Sequence, residues 1–163
     1  MRLSRGHQAA VDRRDQRNYC GWVGRPPLRI TADTNVLVRA ATLDDRTQAA
    51  LATDLLRNAD VIAVTLPALC EFAWVLGRGY RWAAPDVLGF IVTLLGSPSV
   101  RVDRAAAAAG LAMLAAGGDF ADGVIAFEGR RLGGDIFASF DRGAVELVAA
   151  QGGDTRLLGP PAA

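Results

Sequence analysis

Short β-branched or apolar runs alternate with longer helical stretches from Leu28 to Leu158, and this alternation restricts the fold more than any other feature of the chain. Leu28-Arg29-Ile30-Thr31-Ala32 predicts a first strand closing at Asp33, and Asn35-Val36-Leu37-Val38-Arg39 continues as a helical turn. Asp44 or Asp45 is placed to cap a helix reaching about Arg57. Val61-Ile62-Ala63-Val64 predicts a second, buried strand. Thr65 and Pro67 open a helix carrying Leu69, Glu71, Phe72, Trp74, Val75 and Leu76, which stops near Gly77 and Gly79. Further helices start near Pro85, Asp103, Asp119 and Ala144; further strands cover Val100–Val102, Ile136–Phe140 and Thr155–Leu158. Strands alternating with helices predict an α/β fold, a three-layer α/β/α sandwich with a mostly parallel central sheet. Ligands of such folds bind beyond the carboxyl ends of the strands.

At 163 residues and 51% apolar composition the chain suits a single folded domain. That domain is expected over 29–158, with a leader at 1–28 and a tail at 159–163. Six arginines against Asp12 and Asp15 give the leader a charge of 6 − 2 = +4; the remainder carries twelve arginines and fifteen acids, 12 − 15 = −3. The leader lacks apolar periodicity. It reads as a disordered arm, an RNA-contacting arm, or sequence ahead of the domain's start, the first and third being preferred. It has no apolar core segment of a secretory signal, and no apolar run approaches the roughly 20 residues of a membrane span. The expectation is a cytoplasmic protein with no membrane partner.

Several chemistries are absent from the inventory. Cys20 and Cys70 form no metal-spacing motif, and a disulfide framework is not expected. The single histidine, His7, excludes a histidine acid–base pair and a histidine-ligated zinc hydrolase. All 18 basic residues are arginine, which removes Schiff-base chemistry, Walker-type phosphate loops and receiver domains with a lysine partner.

What remains is carboxylate chemistry. Asp33 closes the first strand and Asp141 closes the Ile136–Phe140 strand, each at the carboxyl end. Glu71 lies in the early turns of the helix leaving the second strand, among apolar neighbours where an embedded carboxylate is costly unless paired. Asp122 lies in the first turn of the helix starting at Asp119, three residues on, so both can face the same edge. In a parallel sheet all of these belong to one edge. Carboxylates gathered there repel one another, and a hard divalent cation with oxygen preference, magnesium or manganese, relieves that repulsion. Such an ion activates water and neutralises a leaving oxygen, which points to a phosphodiester substrate. Helix capping is the competing role: it is preferred for Asp45 and Asp103, and for Asp119 capping and metal contact remain equally open.

Four segments in order resemble the PIN domain, and most closely the VapC toxins of bacterial toxin–antitoxin pairs. They are Thr31–Arg39 with its Asp33-Thr34-Asn35 turn, Leu66–Leu76 around Glu71, Asp119-Phe120-Ala121-Asp122-Gly123-Val124-Ile125-Ala126, and Ser139-Phe140-Asp141-Arg142. The resemblance implies a magnesium-dependent endoribonuclease with Asp33, Glu71, Asp122 and Asp141 as catalytic metal-binding quartet, Asp33 and Asp122 foremost. It implies support by hydrogen bonds from Asn35, Thr34 or Ser139, with Asp119 nearby. It further implies a homodimer and a cognate antitoxin that covers the site. The long leader departs from the family pattern.

Arg39 and Arg142 adjoin these residues and are candidate RNA phosphate contacts, as are Arg78 and Arg81; Arg130 and Arg131 read as solvated. Trp74 is expected in the core, whereas Tyr80 and Trp82 are expected to help form an antitoxin groove. Two other functions compete: a PIN-domain nuclease acting in RNA processing or on DNA, and a PIN-like binding module without catalysis. A dehalogenase-like phosphatase is rejected, because Asp33-Thr34-Asn35 lacks its second aspartate and no lysine is available.

Overall fold

The β-branched run Val61–Ala63 (β2) is the middle strand of a three-stranded parallel sheet, between β1 (Arg29–Thr31) and β3 (Val100–Arg101). Ile30 pairs with Ile62, and Ile62 with Val100. A second parallel pair joins β4 (Ile136–Ser139) to β5 (Asp154–Leu157), with Phe137 opposite Thr155. The computed structural model describes residues 26–159, so the readings of the leader, apart from its last three residues, and of the tail after Gly159 lie outside the described residues. The parallel arrangement expected from the sequence is present, divided into a three-stranded and a two-stranded sheet.

Seven α-helices occur among the described residues: α1 (Thr34–Thr42), α2 (Arg46–Asn58), α3 (Leu66–Trp74), α4 (Ala84–Gly96), α5 (Arg104–Ala115), α6 (Phe120–Arg131) and α7 (Arg142–Ala150). Their starts follow from side chains that accept the otherwise unpaired first amides. Asp45, not Asp44, caps α2 through the Thr47 and Gln48 amides at 2.9 and 3.0 Å. Thr65 caps α3, and Asp103 caps α5 through the Ala105 and Ala106 amides. Asp141 caps α7 through the Ala144 amide, which is why that helix starts two residues earlier than its apolar pattern suggested.

One buried cluster joins the three-stranded sheet to the helices. It includes Ile62, Val64, Leu69, Phe72, Leu76, Ile91, Val100 and Phe120. Full burial of each such side chain contributes about 1.5–3 kcal/mol. Leu69, Phe72 and Ala73 of α3, with Leu76 just beyond its end, form an inward stripe at the i, i+3, i+4, i+7 spacing of an amphipathic helix. Phe72 meets Phe90 at 5.4 Å between ring centroids, and Trp82 meets Phe90 edge-on at 6.4 Å. Helix α3 packs against α1 as well as α5 and α6, and therefore links the parts of the chain that carry the acids. After Trp74 the helix widens into a π-helical turn, Val75–Gly79, closed by the Tyr80 amide on the Val75 carbonyl at 3.0 Å. Among the described residues no helix is long and apolar enough to cross a membrane.

Candidate active site

The turn from β1 into α1 presents the first acid. The Ala32 amide still bonds the Ala63 carbonyl at 2.9 Å, and Asp33 then starts the helix with extended backbone angles, φ −77° and ψ 158°. Its carbonyl accepts from the Val36 and Leu37 amides, but its carboxylate makes no capping bond. Asp33 thus occupies a cap position without serving as a side-chain cap, unlike Asp45, Asp103, Asp119 and Asp141. The next residue, Thr34, is the buried polar side chain of the described core, and its hydroxyl donates to Glu71 Oε2 at 2.7 Å. Glu71 itself is exposed. The expectation of a carboxylate embedded in apolar surroundings is corrected here: the apolar neighbours in sequence point inward, and Glu71 lies on the opposite face of α3.

The other acids gather at the starts of α6 and α7. Asp119 accepts from the Ala121 amide at 2.8 Å, and Asp141 from the Ala144 amide at 3.1 Å. Ser139 Oγ accepts from the Asp141 amide at 3.0 Å and fixes that turn. Each capping carboxylate engages its Oδ1, leaving a second oxygen for other use. Burial, then the charges of Asp119 and Asp141, push the Asp122 carboxyl above its ordinary range, so the three acids feel one another. Burial, and then the charge of Asp119, push the Cys70 thiol up as well.

These acids line two concavities that share α3 and its π turn. Asp33, Thr34, Asn35 and Glu71 line one of about 310 Å³. Asp119, Asp122 and Asp141 line the other, of about 430 Å³, together with Trp74, Gly77, Arg78 and Trp82. Among the described residues no three His, Cys, Asp or Glu side chains are grouped closely enough to hold a metal ion. The acids expected at one sheet edge thus line two concavities on either side of α3 and its π turn. Local hydrogen bonds orient them: Asp119 and Asp141 turn one oxygen toward their own helix amides, and Glu71 toward Thr34. The donor chemistry nevertheless fits a hard dication. All five carboxylates lie outside the ion pairs found among the described residues, which engage Asp44, Asp103 and Glu128. Asp122 has its charge opposed by burial and by like charge, the condition a divalent cation relieves.

Residues 30–149 match the PIN domain family. The chain belongs to the PIN domain family. No curated relative matches it. PIN domains are three-layer α/β/α folds and generally metal-dependent nucleases, typically using divalent ions such as magnesium, and that is the class to which this chain is assigned.

The surroundings of this PIN domain's acids differ from their sequence reading at three residues, Arg39, Arg131 and Trp74. Arg39 borders the Asp33 concavity, but its guanidinium is held by Asp44 at 2.7 Å and Gln48 at 2.9 Å. Arg142 is exposed and makes no ion pair among the described residues. Arg131, read as solvated, is exposed but pairs with Asp103 and Glu128 and lies over the Phe127 ring. Trp74, expected in the core, is 56% exposed, while Trp82 packs on Phe90. Helical spacing held the signal: Glu71, Trp74 and Arg78 recur at three and four residues, on the face opposite Leu69, Phe72 and Leu76.

Proposed function

We propose that this PIN domain is a magnesium-dependent endoribonuclease, with manganese able to substitute, and that it is the toxin of a toxin–antitoxin pair. The observation that carries the nuclease reading is Asp33: a carboxylate at a helix start that the helix does not use, beside a glutamate oriented by a buried threonine. Asp33 and Glu71 from one concavity and Asp122 and Asp141 from the other would hold one or two divalent ions, with Asp119 beside them. A divalent ion bound there supplies Lewis-acid polarisation of the phosphodiester and activation of water. The chain's own groups prepare that site. Thr34 fixes the Glu71 carboxylate, Ser139 fixes the Asp141 turn, and Asn35 borders Asp33. Arg142, exposed and outside the ion pairs found among the described residues, would meet a phosphate.

The toxin reading is supported by the four ordered motifs. It brings RNA as substrate, a second copy of the chain as partner, and an antitoxin covering the site. Trp82 lines the larger concavity where such a partner would insert, and Tyr80 borders the smaller one. The decisive experiment is cleavage of RNA and of matched DNA, with and without magnesium, by wild type and Asp33→Asn, with cut sites mapped. Magnesium-dependent RNA cleavage lost in Asp33→Asn is the expected result. Cleavage retained by Asp33→Asn overturns the site; cleavage of DNA alone overturns the ribonuclease assignment. Growth arrest on expression of wild type, relieved in Asp33→Asn and by an adjacent short reading frame, tests the toxin role.

A further inference from the structure

We propose that Trp74 and Arg78 form a subsite for unpaired nucleic acid, Trp74 stacking on a nucleobase and Arg78 holding a backbone phosphate beside Asp122. The inference rests on the nuclease reading of the same concavity and names the form of substrate it takes. Trp74 is more than half exposed, and no ring or cation packs on its indole among the described residues. An exposed indole at the wall of a cavity offers a flat apolar face on which a ligand ring can stack. Arg78 is exposed one turn further along the same face and is the cationic side chain lining that cavity among the described residues. It makes no ion pair there, although Asp119, Asp122 and Asp141 line the same space. Between the two lies Gly77, with open space where a Cβ would project, so a ligand can approach the backbone of the π turn.

These features select the substrate's form. The part of the chain from Arg29 onward has twelve arginines against fifteen acids, so the domain itself has no net positive charge to draw a polyanion to this acidic surface. Local contacts are therefore required. A base within a duplex has both faces stacked and cannot lie on an indole, whereas an unpaired base can, and such stacking weakens about five- to hundredfold on loss of the ring. An aromatic face, one guanidinium and an acidic group in a single cavity match the base, phosphate and bound cation of a nucleotide, and an antitoxin covering the site would compete for the same space.

The test measures binding of short labelled oligonucleotides, unpaired RNA, unpaired DNA of the same sequence and duplex RNA, with calcium replacing magnesium, and then KM and kcat in magnesium. Trp74→Ala is expected to raise Kd and KM for unpaired strands by about tenfold, with kcat and duplex Kd within about twofold. Trp74→Phe restores most of the loss, and an abasic oligonucleotide at the stacked position erases the difference between wild type and Trp74→Ala. Arg78→Gln weakens binding and lowers the salt-dependence slope by about one. The RNA and DNA arms decide which sugar the subsite accepts. An unchanged Kd for Trp74→Ala with every oligonucleotide overturns the subsite, including the case where that variant loses only a protein partner. Trp74-dependent binding without cleavage by wild type overturns the nuclease reading and keeps the subsite. Both Trp74 and Arg78 are exposed, and thermal unfolding of each variant is compared with wild type to separate binding from folding.

Discussion

Thr34 Oγ1 and Glu71 Oε2 lie 2.7 Å apart across 37 residues of sequence, a hydrogen bond that ties the first turn of α1 to the outer face of α3. The donor is buried and the acceptor is exposed, so the bond holds a carboxylate in place at a surface where it is otherwise free to rotate. Glu71 thereby faces the same concavity as Asp33.

Thr34→Val keeps the shape of the side chain and removes the donor. It is expected to cost about 1 kcal/mol in urea unfolding, the usual net value of one hydrogen bond. Cleavage falls roughly tenfold or more, as is typical when a group orienting a metal ligand is lost. Thr34→Ser restores both. A fall in cleavage no larger than twofold shows that the bond is only structural.

Asp33→Asn and Asp45→Ala separate a site acid from a capping acid. Asp45 accepts two helix amides, so Asp45→Ala is expected to cost about 1 kcal/mol and to spare cleavage. Asp33 accepts none with its carboxylate, so Asp33→Asn leaves the urea midpoint within error and abolishes cleavage.

Asp122 makes stability depend on pH. Its folded carboxyl titrates above its unfolded one, chiefly through burial and then through Asp119 and Asp141. The native state therefore binds the proton more tightly, and stability is lost as pH rises from the unfolded toward the folded value. In chelator, Asp122→Asn is expected to be more stable than wild type at neutral pH. The two urea midpoints converge below about pH 4, where both native and unfolded carboxyls are protonated. Equal pH profiles for the two proteins would remove Asp122 from the like-charge group.

Tyr80 controls Asp44. The tyrosine hydroxyl donates to Asp44 Oδ2 at 2.6 Å and, with Arg39 and Thr42, holds that carboxyl well below the usual carboxylate range. Tyr80→Phe moves the Asp44 titration upward in carboxyl-detected NMR. The native stabilisation from this group is present above the unfolded carboxylate value and disappears as pH falls through the folded one, so the variant loses stability earlier on acidification.

Gly123 sets the approach of α6 to α5. A Cβ there would run into the Ala109 carbonyl oxygen and stand 2.7 Å from Met113 Cβ. Gly123→Ala is expected to destabilise by about 1–3 kcal/mol and, since Asp122 precedes it, to lower cleavage as the helix shifts. Unchanged stability would mean that the two helices separate without cost.

The period of the apolar residues determined most of the fold. Alternating strand and helix patterns placed β1, β2 and β3 in parallel and put Asp33 and α3 at one edge of their sheet. Caps are legible only in part: residue type identifies Asp45 and Asp103, while for Asp141 it leaves cap and ligand both open, because the two roles draw on the same side chains. Spacing along one helix fixes which residues share a face, and Glu71, Trp74 and Arg78 do. It does not say what that face meets, since this depends on segments far away in sequence. Packing of α3 against α1 and α6 decided that Glu71 turns to Thr34, that Asp119, Asp122 and Asp141 share another concavity, and that Trp74 is its exposed wall rather than core. Side-chain type and period are local properties; the field and contacts at a site are sums over neighbours that only the folded chain assembles.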